Sequence, residues 1–234
     1  MFFNKTNTAI LFLLISISAC TSSEIGQSKD VAQDKIYQEY SIKFTEGDPT
    51  VTVYAQFRFA GRNGTTLVLS NPSQLSFDNE ALKVDSGNVS GAFYQSGKPI
   101  GGFYGRHHFV FTDINNKKFD NDFLFDTFRL KQLPGAVSKN KSLDIAIESA
   151  PLKGDDYVEV STSGSDSSFS IRLDAKDGNN TITIPQKELQ RQKGKELMLE
   201  ATLYRNLPLQ QNTAEGGSLE IRYALKPIRV LFGD

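Results

Sequence analysis

Alternation with a period of two governs this chain. Val51, Val53, Ala55, Phe57 and Phe59 fall on one side of a continuous run, and Thr52, Tyr54, Gln56 and Arg58 fall on the other. Successive side chains point to opposite faces in an extended strand, so the run predicts a strand with one buried face. Phe103, His107, Phe109 and Phe111 repeat the pattern against Tyr104, Arg106, His108 and Thr112. Shorter strands are expected at 40–44, 67–69, 75–77, 82–84 and 88–95. In 123–131 the apolar parity changes between Phe125 and Phe128, as a bulge or a strand changing sheets near Asp126 would require.

The second half alternates more cleanly. Leu143, Ile145 and Ile147 form one apolar row, and Val158 and Val160 a second. Further rows are Phe169, Ile171 and Leu173, then Ile182 and Ile184. Leu197, Leu199, Ala201 and Leu203 follow, then Leu219, Ile221 and Tyr223, and finally Ile228, Val230 and Phe232. One short helix is expected at 185–191, with Pro185 at its first position and Gly194 just past its end. Turn residues such as Gly61-Arg62-Asn63-Gly64 and Asp177-Gly178-Asn179 punctuate the strands.

This pattern predicts an all-β fold of two tandem Ig-like antiparallel β-sandwiches, at 39–136 and 139–234, separated by the Pro- and Gly-containing stretch 133–141. Each would be near the roughly 100 residues of an immunoglobulin-like sandwich. One larger β-sandwich is the alternative reading. The 234 residues carry 26 Lys+Arg against 27 Asp+Glu, a balance that disfavours a nucleic-acid partner.

The N-terminus reads as an address. Lys5 precedes the apolar or small stretch 9–19, which is shorter than the roughly 20 residues of a membrane span but suits a signal-peptide core. It ends in Ile17-Ser18-Ala19-Cys20, and Cys20 is the sole cysteine. This run resembles the lipobox of bacterial lipoproteins. The resemblance implies removal of residues 1–19, acylation of Cys20, and attachment to the membrane by its acyl chains. Thr21 after the cysteine implies the outer membrane. Residues 20–38 are polar and are expected to form a flexible tether. The patterning beyond it resembles uncharacterised tandem Ig-like lipoproteins of Bacteroidetes-type bacteria.

Candidate chemistry is sparse. His107 falls on an apolar row and His108 on the opposite face, so a regular strand separates them. Asp113, Asp120 and Asp122 lie in oxygen-rich sequence of the kind that binds calcium, without EF-hand spacing and without a closing Glu. The segment 91–98 has P-loop-like glycines at the wrong spacing, with Pro99 where a hydroxyl is needed. No cofactor is expected. Residues 93–106 suggest a hairpin presenting Tyr94, Lys98, Tyr104 and Arg106 as a binding surface, since Tyr and Arg favour interfaces. The expected function is therefore a lipid-anchored, non-catalytic envelope module for binding, scaffolding or adhesion, with an envelope protein or polysaccharide as partner. The alternative is an envelope hydrolase, or an accessory subunit of a glycan- or peptide-degrading system. It would use carboxylates among Asp113, Asp120, Asp122 and Asp126.

Overall fold

A computed structural model describes residues 25–87, 90–131, 133–162 and 167–233, and within them the chain is almost entirely β. The N-terminal half contributes β1 (Ile25–Gln27), β2 (Ile36–Thr45), β3 (Thr50–Phe59), β4 (Thr65–Val68), β5 (Gln74–Phe77), β6 (Glu80–Ala81), β7 (Val84–Gly87), β8 (Gly91–Pro99), β9 (Gly105–Thr112) and β10 (Lys118–Phe125). There follow β11 (Phe128–Leu130), β12 (Val137–Ser138), β13 (Leu143–Ser149), β14 (Tyr157–Thr162), β15 (Ser170–Asp174), β16 (Thr181–Ile184), β17 (Glu196–Leu207), β18 (Gly217–Ala224) and β19 (Ile228–Gly233). The expected helix is α1 (Gln186–Gln190), which buries Leu189, with Pro185 as its cap rather than its first residue. Among the described residues no helix is long and apolar enough to cross a membrane.

Three sheets form two layers. The largest runs β1-β4-β3-β2-β18-β17-β14-β15, with β7 and β8 attached to β3 and β12 and β19 attached to β17. Two smaller sheets, β10-β9-β5-β6 and β11-β13-β16, contribute the facing apolar side chains. Tyr40 of β2 stacks on Phe109 of β9 at 4.5 Å, and Phe57 of β3 meets Phe111 at 4.6 Å. Tyr223 of β18 touches both Phe125 of β10 and Phe128 of β11, so one ring sits where the two smaller sheets meet. The apolar rows of all three sheets merge into one hydrophobic cluster.

β2 and β18 pair in parallel over eight residues, from Gln38 beside Gly217 to Thr45 beside Ala224. This seam joins the N-terminal and C-terminal strands into one sheet. Parallel pairs also link β1 to β4 and β12 to β19, which departs from the purely antiparallel expectation. Alternation reports which face of a strand is buried; it carries no information about the direction of its neighbour.

The parity change at Asp126 is a change of sheet. Phe123 and Phe125 face the core from β10, and Phe128 faces it from β11, which pairs with β13. Two other expectations are corrected. Residues 93–106 do not form a hairpin: β8 pairs with β3 and β7, whereas β9 pairs with β10 and β5. The chain instead crosses between layers through a 3-10 turn at Ile100–Gly102, drawn over by Phe103, which is buried 4.1 Å from the His107 ring. The tether does not extend to residue 38. β1 pairs with β4, the Gln33 amide donates to the carbonyls of Ser28 and Val31, and Ile36 is fully buried. Residues 20–24 of that segment lie outside the described residues.

The seam begins with a close approach at Gly217. A Cβ there would lie 2.3 Å from the Gln38 carbonyl oxygen and 2.4 Å from Leu209. Gly217→Ala should therefore destabilise the protein by about 1–3 kcal/mol, read as a lower urea midpoint. Gly102→Ala, whose added carbon meets open space, should leave the midpoint unchanged.

Candidate functional site

The outer face of the large sheet carries the site. Register aligns side chains from successive strands into rows, because directly paired residues point the same way. One row reads Asp174, Tyr157, Tyr204, Arg222, Lys43, Thr52 across β15, β14, β17, β18, β2 and β3. The next reads Asn206, Glu220, Ser41, Tyr54, and a third Ser218, Glu39, Gln56. Both shorter rows cross the seam.

Here the face forms a groove of about 480 Å³, lined by Glu39, Ser41, Lys43, Tyr54, Arg58 and Glu220 among others. Its end wall is rigid. Gln56 is buried, and its amide donates to the carbonyls of Ser90 and Ala92 at 2.7 and 2.9 Å while its oxygen accepts from Arg58. Arg58 also donates to the Gly64 carbonyl and lies 3.7 Å from Glu39. Within the groove the Ser41 hydroxyl is buried and has no hydrogen-bond partner among the described residues; Ser41 is only 8% exposed. A buried hydroxyl left unpaired costs about 1–3 kcal/mol. The oxygen itself is sealed from solvent, so an incoming polar group would reach it only by displacing the side chains that cover it.

The aromatic side chains of the face stand in stacks. Tyr157 and Tyr204 lie 4.5 Å apart and nearly parallel, and Arg172 covers Tyr157 at 3.6 Å. Arg172 is itself fixed by Asp174. Arg222 rests over Tyr204, Lys43 over Tyr54, and Tyr54 stacks on Phe93. Burial raises the phenol pKa of Tyr54, with the Glu39 carboxylate adding to it and Arg58 opposing. Burial likewise raises that of Tyr157, with Tyr204 adding and Arg172 opposing. Both remain neutral hydroxyls, able to donate and accept.

The sequence-derived binding residues do not converge. Tyr94 is buried in the large sheet, where its hydroxyl accepts from the Leu69 amide, and Lys98 is paired with Glu80. Tyr104 is 46% exposed and bonded to the Tyr223 hydroxyl, and Arg106 lies on β9 of a different sheet. The crossover between β8 and β9 separates the two pairs. The calcium candidates are also dispersed. Asp113 is buried and caps its own turn by accepting from the amides of Asn115 and Lys117, while Asp120 and Asp122 project outward from β10. Among the described residues no three His, Cys, Asp or Glu side chains gather as a metal site. Asp126 shares a cavity with Asp156, whose carboxylate is occupied by Arg205 and the amides of Lys153 and Asn206. His107 is buried between Phe103 and Phe77, bonded to Asp78 and to the Phe103 carbonyl, with His108 on the opposite face. Cys20 lies outside the described residues.

The polar sides of β3, β14 and β17 were visible as alternation. Their assembly with Glu39, Ser41 and Lys43 was not, because it depends on the seam. Neither protein-family models nor curated proteins give a match to this chain.

Because the fold favours protonated phenols at Tyr54 and Tyr157, their contribution to stability holds below the unfolded value near ~10 and falls as pH climbs past it. A tyrosinate absorbance titration should show a late-ionising fraction that shrinks in Tyr54→Phe and Tyr157→Phe. An unchanged late fraction in both variants would contradict this.

Proposed function

We propose that the protein is a lipid-anchored, non-catalytic binding module of the bacterial cell envelope, and that its recognition surface is the outer face of the large sheet. The observation that carries the reading is the groove across the seam, with the partnerless Ser41 hydroxyl inside it. A rigid wall, a mixture of donors and acceptors, and a row of Tyr and Arg suit recognition of a polar polymer. The anchor rests on Ile17-Ser18-Ala19-Cys20, whose order matches a lipobox. Acyl chains contribute about 0.8 kcal/mol per buried CH₂, so more than one chain holds a protein stably to a membrane.

Cys20→Ser should abolish incorporation of labelled palmitate and move the protein from the membrane to the soluble fraction. Continued labelling of that variant would remove the anchor from the reading.

The groove is tested by affinity electrophoresis of the full chain in detergent, through gels containing neutral or charged polysaccharides. At least one polymer should retard the wild type, and Ser41→Ala and Ser218→Trp should each weaken that retardation tenfold or more while keeping the wild-type circular dichroism spectrum. Retardation unchanged in both variants would exclude the groove. No retardation by any polymer, or depolymerisation at enzyme-like rates, would overturn the binding-module reading.

A further inference from the structure

We propose that the groove takes an acidic polysaccharide and that a sugar carboxylate sits at its edge, between Lys43 of the groove lining and Arg222 on the neighbouring strand, an inference that rests on the binding-module reading above. Lys43 and Arg222 are direct register partners across the seam. Adjacent strands lie roughly 4.8 Å apart, and like charges placed opposite one another destabilise a sheet. Both side chains are exposed, and neither has a carboxylate at ion-pair distance among the described residues. Each rests instead over the tyrosine of the strand on its far side, Arg222 over Tyr204 and Lys43 over Tyr54. Two cations without an ion-pair partner thus stand on neighbouring strands with their tips drawn apart over those rings, and a single anionic group seated between them would draw both tips inward. The planar guanidinium of Arg222 matches a planar carboxylate.

The rows beside this pair select the rest of the ligand. Glu220, Ser41 and Tyr54 occupy the adjoining row, and Ser218 and Glu39 the one beyond. Carboxylates and hydroxyls accept and donate well to neutral sugar hydroxyls. A phosphodiester or polyphosphate chain, poor in free hydroxyls, would set anionic oxygens against Glu220 and Glu39 with nothing to donate to them. The favoured ligand therefore carries free hydroxyls beside the carboxylate in each sugar.

Ring geometry sets the mode of contact. Tyr157 and Tyr204 cover one another, Arg172 covers Tyr157, and Phe93 and Lys43 occupy Tyr54. The polymer accordingly meets phenol hydroxyls and charged tips more than open ring faces. The six-strand row extends over roughly 24 Å, five strand spacings, which is longer than one sugar and favours a chain.

The probes are polygalacturonate, the same polymer with its carboxyl groups reduced to alcohols, and dextran sulfate. Each is titrated against the full chain in detergent and against the Lys43→Gln/Arg222→Gln double variant, with circular dichroism checking the fold. Polygalacturonate should bind the wild type at least tenfold more tightly than its reduced form does, and the double variant should lose that preference. Equal binding of the acidic and reduced polymers in a Ser41-dependent manner would overturn the carboxylate assignment and leave the groove standing. Tighter Lys43- and Arg222-dependent binding of dextran sulfate would also overturn it, in favour of a sulfate. Failure of every polymer, neutral ones included, would remove the groove reading as well.

Discussion

The parallel pairing of β2 with β18 is the constraint on which the rest of the molecule depends. It brings the second strand of the described chain beside the penultimate one, and every row across the outer face passes through it. On the inner side it sets Tyr40 beside Leu219, Ile42 beside Ile221 and Phe44 beside Tyr223, all buried. Phe44 and Tyr223 meet edge to face at 4.9 Å. The same eight residue pairs therefore close the core and build the groove. Pairing so distant in sequence carries a loop-closure cost that only the completed hydrophobic core offsets. The N-terminal and C-terminal strands are expected to gain stability together.

That arrangement explains a tension on the outer surface. Uncompensated like charges side by side, and a buried hydroxyl without a partner, are features a sheet selected for stability alone would avoid. Both occur within adjoining rows at the seam, and the stacks on either side hold the nearby rings in place. The buried Asp156–Arg205 pair, in contrast, is fully satisfied, with Arg205 also bonded to the carbonyls of Ala150 and Pro151. Among the described residues Gln38 Nε2 and Ser73 Oγ are also buried without a partner, but Ser41 Oγ and Arg58 Nε are the ones that belong to residues lining the groove.

Much of this was legible in the sequence, and the gaps share a cause. The buried rows from Val51 to Phe57 and from Leu197 to Leu203 could be read directly, because side-chain alternation encodes which face is buried. The change of sheet at Asp126 was legible too, since a parity shift is itself a pattern. What alternation omits is the identity and direction of neighbouring strands. That omission hid the seam, turned the crossover at Ile100–Gly102 into an expected hairpin, and made Tyr94 a surface candidate when it is buried. Polar composition likewise hid the order of Ile25–Gln27, which is held by backbone pairing to β4 rather than by side-chain burial.

The most direct measurement is disulfide formation across the seam in a Cys20→Ser background. Adjacent strand positions lie within the roughly 4.4–6.8 Å Cα separation that a disulfide accepts, whereas diagonal positions lie at roughly 7–8 Å. Under mild oxidation Lys43→Cys with Arg222→Cys should crosslink readily, and Lys43→Cys with Glu220→Cys should not. Crosslinking of the diagonal pair in preference would mean a slipped register, and crosslinking of neither would mean that the two halves do not share a sheet.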